Sequence, residues 1–152
     1  MAKPALKVFL DTSALFAGIW SASGGAHAIL QLGEAQLLSL VVSSQVLAEI
    51  EEVVREKLPD LLDELLLILD ACIARVVKRP SARALAQARR FVSYEADARI
   101  LAAAMTARAA YFVTLDRKHF LRNDALCEVM SFPIGTPGDF LQWYRDQQIA
   151  ES

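Results

Sequence analysis

The sequence predicts a three-layer α/β/α domain built on a central parallel sheet of about five strands. Short apolar runs alternate with helical stretches of ten or more residues, which implies right-handed crossovers and a sheet covered on both sides. Of the 152 residues, 55% are hydrophobic and 22% charged, enough to fill a core and inconsistent with disorder. No internal repeat or low-complexity linker divides residues 1–152, so one domain is expected.

Leu6 to Leu10 is a short β-favouring run that ends at Asp11, with Thr12 and Ser13 following as residues of N-cap type. Gly24 and Gly25 break the next stretch before a short helix from His27 to Ala35 and a second strand from Leu37 to Val42. Ser43 and Ser44 cap a helix whose Val46, Leu47, Ile50, Val53 and Val54 form one buried stripe, and Pro59 marks its limit. Pro59 also opens a helix from Asp60 to Ala74; its leucines cover more than one face, so it should be buried on two sides or lie against a partner.

Arg75 to Val77 reads as a third strand, followed by the basic KRPSAR segment and a helix through Phe91. Ser93 is placed to cap an alanine-rich helix from Glu95 to Ala109. Tyr111 to Leu115 is a fourth strand ending at Asp116, and Glu128 to Phe132 a fifth. The Pro and Gly cluster from Pro133 to Gly138 leads into a last short helix around Phe140 to Tyr144.

Composition narrows the function classes. The most apolar stretch, Leu61 to Leu69, is interrupted by Asp63 and Glu64, so no membrane span or membrane partner is expected. The start MAKPALKVFLD lacks the features of a signal peptide, and Cys72 and Cys127 have no CxxC spacing; both point to the cytoplasm and to reduced core thiols. Net charge is −2, but it is divided: residues 1–73 hold four basic against ten acidic side chains, or −6, and residues 74–152 hold twelve against eight, or +4. The basic second half leaves a polyanionic partner open.

Among eighteen acids, a few resist the role of solvated surface. Asp11 and Asp116 each end an apolar strand, where ligands bind in open α/β sheets. Asp97 falls in the middle of the arc of Ile100, Leu101, Ala104 and Met105, while Arg99 points away; the helix dipole explains an acid in the first turn but not its inward direction. On the preceding acid-bearing helix, Glu49 and Glu51 flank the apolar arc on opposite sides, and geometry does not choose between them. Carboxylates converging on one crevice repel one another, and a divalent cation resolves the conflict. All-oxygen ligation suits Mg²⁺ or Mn²⁺, whereas zinc would want His27 or His119, which lack ligand-like spacing. The matching chemistry is in-line phosphoryl transfer, with the metals activating water and offsetting charge on the leaving oxygen.

The segments VFLDTSAL, SSQVLAEIEEVV, EADARILAAA and YFVTLDRKHF, in this order and at these separations, resemble PIN-domain ribonucleases of the kind that serve as the toxin in VapBC-type toxin–antitoxin pairs. The resemblance covers nearly the whole chain. It implies a quartet of Asp11, Glu49, Asp97 and Asp116 holding one or two Mg²⁺ or Mn²⁺ ions for cleavage of single-stranded RNA. It favours Glu49 over Glu51, because the family places its glutamate after S-x-x-L-x. Asp11 and Asp116 would anchor the principal metal, with Asp97 and Glu49 completing the site and no histidine required as base. Thr12 or Ser13, and Thr114, match supporting hydroxyls; Arg117, Lys118 and Arg122 are placed to bind RNA phosphates, ahead of Arg99 and Arg108. The family also implies a homodimer and an antitoxin partner, with the helix Asp60 to Ala74 and Phe140, Trp143 and Tyr144 as candidate contacts. Glu95, beside Asp97, is a further carboxylate that the pattern leaves open.

Rival readings lose a required group. A haloacid-dehalogenase-type phosphotransferase needs an acid where Ser13 stands, an aspartic protease a glycine there, and a receiver domain a second acid near the first strand end. The remaining alternative is a catalytically inactive PIN fold that binds RNA or protein. If metal neutralises the quartet, the formal −2 becomes +2 and no longer opposes RNA.

Overall fold

The computed structural model describes residues 4–151. The first half of the chain runs β1 (Leu6–Leu10), α1 (Thr12–Trp20), α2 (Gly25–Glu34), β2 (Leu38–Ser43), α3 (Ser44–Lys57), a 3₁₀ turn (Pro59–Leu61), α4 (Leu62–Cys72) and β3 (Ile73–Val77). Then come α5 (Ala82–Arg89), α6 (Glu95–Ala107), β4 (Tyr111–Val113), a π-helical turn (Arg117–Leu121), α7 (Asp124–Val129), β5 (Ile134–Gly135) and α8 (Pro137–Glu151). All paired strands are parallel, in the order β3-β2-β1-β4-β5. This is the α/β architecture that the alternation of elements predicts.

The central strands are apolar along their length because helices flank the sheet. Val8, Phe9, Leu40, Val41, Val42, Phe112 and Val113 are fully buried. Across the β1–β4 pair Phe9 stacks on Phe112 at 5.5 Å, and Phe112 also meets Phe120 and Phe132. Lys7, at the edge of this core, donates its Nζ to the carbonyl of Ala107 in the last turn of α6, where a cation offsets the helix dipole. From β1 the chain builds outward through β2 and β3, then returns to lay β4 on the other side of β1. The order reverses between β1 and β4, so the crevice beyond their carboxyl ends is the expected ligand site of such a sheet.

Several boundaries differ from the sequence expectation. Asp11 caps α1, its side chain accepting from the amide of Ala14, so Thr12 and Ser13 already belong to the helix. Ser43 caps α3 as expected, but Ser93 does not cap α6: Tyr94 occupies the N-cap and supplies no side-chain bond. The α6 helix ends at Ala107, with Arg108 in the left-handed conformation. Helix α4 is shorter than Asp60 to Ala74 because the chain enters β3 at Ile73 and pairs with β2.

The fifth strand is not Glu128 to Phe132. Asn123 caps α7 through the amide of Leu126, which draws Glu128 and Val129 into a helix, Met130 to Phe132 form an irregular bend, and β5 forms after Pro133. Its Gly135 is required by close packing, since a Cβ there would stand 2.3 Å from the Tyr111 hydroxyl. Helix α8 is much longer than Phe140 to Tyr144; those aromatics pack on one another and on Tyr111, with Phe140 fully buried. Cys72 is buried, but Cys127 is exposed and is not a core thiol. One stripe of α4, Leu65, Leu69 and Cys72, faces the core, whereas Leu66 and Leu67 are 46% and 72% exposed.

Candidate functional site

The end of β1 delivers Asp11 into the switch-point crevice, only 4% exposed. Its Oδ1 accepts from the Ser13 hydroxyl at 2.7 Å and the Ala14 amide at 2.9 Å, and its Oδ2 accepts from the Thr114 hydroxyl at 2.5 Å. The same two hydroxyls tie the neighbouring strand end in place. Ser13 Oγ accepts from the amide of Leu115, and Thr114 Oγ1 from the amide of Asp116. Burial pushes the Asp11 carboxyl up to about 6, against the opposing pull of its three hydrogen bonds and with added repulsion from Asp116.

Asp116 begins the π-helical turn. Its Oδ1 accepts from the amide of His119, and its Oδ2 lies 2.9 Å from His119 Nδ1. That nitrogen is also 3.1 Å from Oδ2 of Asp97, which α6 brings in from the opposite side. Asp97, Asp116 and His119 thus present ligand-type atoms within 4.8 Å of one another. Burial raises the Asp97 pKa; His119 opposes the shift, while Asp116 and Glu49 add to it. Single-turn π distortions are frequent at functional sites because they re-aim side chains, and here the turn aims His119 inward.

Glu49 enters from α3. Its Oε2 accepts from the Thr12 hydroxyl and its Oε1 from Gln45 Nε2 at 3.2 Å. Gln45 also donates to the carbonyl of Ala96 at 2.9 Å, which links α3 to the first turn of α6. Asp11 and Glu49 lie outside the triad of Asp97, Asp116 and His119 but within its electrostatic reach: Asp116 acts on Asp11, and Glu49 on Asp97. The four sequence-predicted acids therefore share one end of the sheet. Glu95 turns outward into a bidentate pair with Arg89, and it is Glu49 rather than Glu51 that meets Thr12. Arg117, Lys118 and Arg122 are exposed on and beside the π-helical turn.

Two participants escape sequence reasoning. His119 has no ligand-like spacing in the sequence, since its partner Asp97 is 22 residues away in the chain; only its i, i+3 relation to Asp116 is a local signal. Gln45 had a weaker signal, its i, i+4 spacing to Glu49. The carboxylate oxygens of Asp97 and Asp116, with buried Asp11 nearby, suit a hard divalent cation, whereas the His119 imidazole is a borderline donor whose Nδ1 is already shared between the two carboxylates.

A parallel α/β domain with four acids gathered at its topological switch point, Asp11 held there by hydroxyls beyond both strand ends, presents a carboxylate-lined ligand site. Residues 7–118 match the family described as PIN domain, and the chain belongs to that family. The matched segment holds Asp11, Glu49, Asp97 and Asp116 and stops one residue before His119. Comparison with curated proteins finds no match.

Similar solved structures share the fold at low identity. VapBC2 from Rickettsia felis, bound to a DNA fragment from its promoter, is 20% identical with a TM-score of 0.62, covering 85% of this chain and 97% of that one. FitAcB from Neisseria gonorrhoeae is 22% identical with a TM-score of 0.60, covering 86% and 97%. FitAB bound to an IR36 DNA fragment is 20% identical with a TM-score of 0.59, covering 86% and 94%.

Proposed function

We propose that the chain is an endoribonuclease that uses Mg²⁺ or Mn²⁺ to hydrolyse phosphodiester bonds of RNA, and that it acts as the toxin of a toxin–antitoxin pair. PIN domains are generally nucleases, and the observation that carries the reading is the convergence of the Asp97 and Asp116 carboxylates beside buried Asp11 at the switch point. Asp11, Asp97, Asp116 and Glu49 would hold one or two ions. When bound, such an ion supplies polarisation of the phosphate and activation of water.

The chain's own residues provide the preorganisation. Ser13, Ala14 and Thr114 fix both oxygens of Asp11, so its carboxylate does not rotate. Thr12 and Gln45 do the same for Glu49. The carboxylates repel one another in the absence of a cation, and that repulsion favours cation binding. Arg117, Lys118 and Arg122 offer exposed positive charge for the substrate backbone.

Similarity to VapBC and FitAB complexes supports an antitoxin partner. The outward leucines of α4 are the face we assign to a protein partner or a second copy, since Phe140, Trp143 and Tyr144 are engaged in packing α8. Among the described residues no helix is long and apolar enough to cross a membrane.

One observation favours the non-catalytic alternative: the His119 ring already stands between Asp97 and Asp116, so the cluster has an internal partner. Purified protein incubated with structured and unstructured RNAs and Mg²⁺ or Mn²⁺ separates the readings. Cleavage by the wild type, reduced at least about a hundredfold in Asp97→Asn and Asp116→Asn, supports the nuclease. RNA left equally intact by all three proteins leaves only the binding module.

A further inference from the structure

We infer that Tyr94, stacked on His119, forms an aromatic step that holds one unpaired nucleobase of the substrate beside the acidic cluster. The inference rests on the nuclease reading for the identity of the ligand. Tyr94 is 60% exposed, although a tyrosine normally buries most of its ring. Its ring lies against the His119 imidazole, with centroids 5.6 Å apart and planes 24° from parallel. His119 lies against one side of the ring, and 60% of Tyr94 remains open to solvent for a further partner. The imidazole is in turn fixed by Asp116 at 2.9 Å and Asp97 at 3.1 Å, so the step is anchored to the two acids at the centre of the site.

Helix formation does not explain a tyrosine here. Tyr94 is the N-cap of α6 and makes no side-chain capping bond, where Ser, Thr, Asp or Asn would satisfy an orphan amide. Ser93 stands one position too early to do so. An exposed, flat, rigid ring at the lip of an acidic site is instead suited to stacking. Arg117 and Lys118 are sequence neighbours of Asp116 and His119, so cations for the adjoining phosphates lie on the same turn.

A base whose faces are covered within a duplex has no face to offer Tyr94, so the step selects single-stranded RNA. Every base has a π-face, so it selects little sequence.

The test is a cycle of affinities measured by fluorescence anisotropy. The probe is a labelled single-stranded RNA of about ten nucleotides, a length within the usual single-strand site sizes. Ca²⁺ replaces Mg²⁺, and gels verify that the RNA stays intact. Tyr94→Ala should weaken binding about tenfold, within the range for loss of one stacked base, and Tyr94→Phe should stay within about twofold of wild type. One abasic position, found by scanning, should weaken the wild type to the same extent, and the two losses should not multiply. Equal affinity of wild type and Tyr94→Ala for every oligonucleotide, or fully multiplicative losses, overturns the step. If the wild type cleaves RNA with a KM that ignores Tyr94, the step fails and the nuclease stands. Tyr94-dependent binding by a protein that cuts no RNA keeps the step and removes the nuclease.

Discussion

Replacing Asp11 by Asn should make the metal-free protein more stable, not less, at neutral and alkaline pH. The Asp11 carboxyl is raised from its ordinary 3.8 to about 6 by burial. A raised acid contributes stability that is fully present below 3.8, where it is protonated in both states, and that is lost as pH rises through about 6. Each tenfold change in proton affinity is about 1.4 kcal/mol, so this one charge removes about 3 kcal/mol by pH 8.

Asn keeps the acceptor that caps α1 and places an amide against Thr114, whose proton must then find another acceptor, at about 1 kcal/mol. The net gain near pH 8 is about 2 kcal/mol, or about 4–8 °C in Tm for a domain of this size. The assay is thermal denaturation in EDTA from pH 4 to pH 8. The variant's advantage should vanish near pH 4, and Mg²⁺ or Mn²⁺ should raise the Tm of the wild type only. A variant that melts below wild type at pH 8 in EDTA would refute the reasoning, because the buried charge would then be repaid by interactions other than a cation.

Three further outcomes follow from particular contacts. Thr114→Val leaves the Asp116 amide and Asp11 Oδ2 without their fully buried partner and should cost about 1–3 kcal/mol in urea denaturation, most of it restored by Thr114→Ser. Glu95→Gln breaks the exposed pair with Arg89 and should leave RNA cleavage and Mn²⁺ affinity within about twofold of wild type, since the side chain faces away from the cluster. Leu66→Glu with Leu67→Glu on the exposed face of α4 should leave Tm nearly unchanged while shifting the elution volume of any dimer, or abolishing capture of a co-expressed antitoxin.

The difference between Glu49 and Glu51 marks how far the residues could be read unaided. Both flank the same apolar arc of α3, and the choice depends on whether a hydroxyl 37 positions earlier lies on one side of it. Asp97 was easier, because its inward direction is a property of its own helix. The misplaced fifth strand shows the limit for local structure: Glu128 to Phe132 has strand-like composition, but the Asn123 cap and Pro133 decide where the helix starts and where pairing with β4 is possible.

By itself, the sequence determined the α/β class and the position of Asp11 at the end of an apolar strand, because periodicity, caps and strand ends are set by neighbours a few residues apart. Asp116, expected directly after a strand running to Leu115, stands three residues beyond the end of β4 at Val113. Only the tertiary structure decided that Thr114 closes on Asp11 across 103 positions, that Gln45 bridges α3 to α6, and that His119 stands between Asp97 and Asp116. These contacts exist because β4 lies beside β1 and the π-helical turn then points His119 back toward α6. Strand order and turn direction are fixed by packing of the whole chain, which no local pattern encodes.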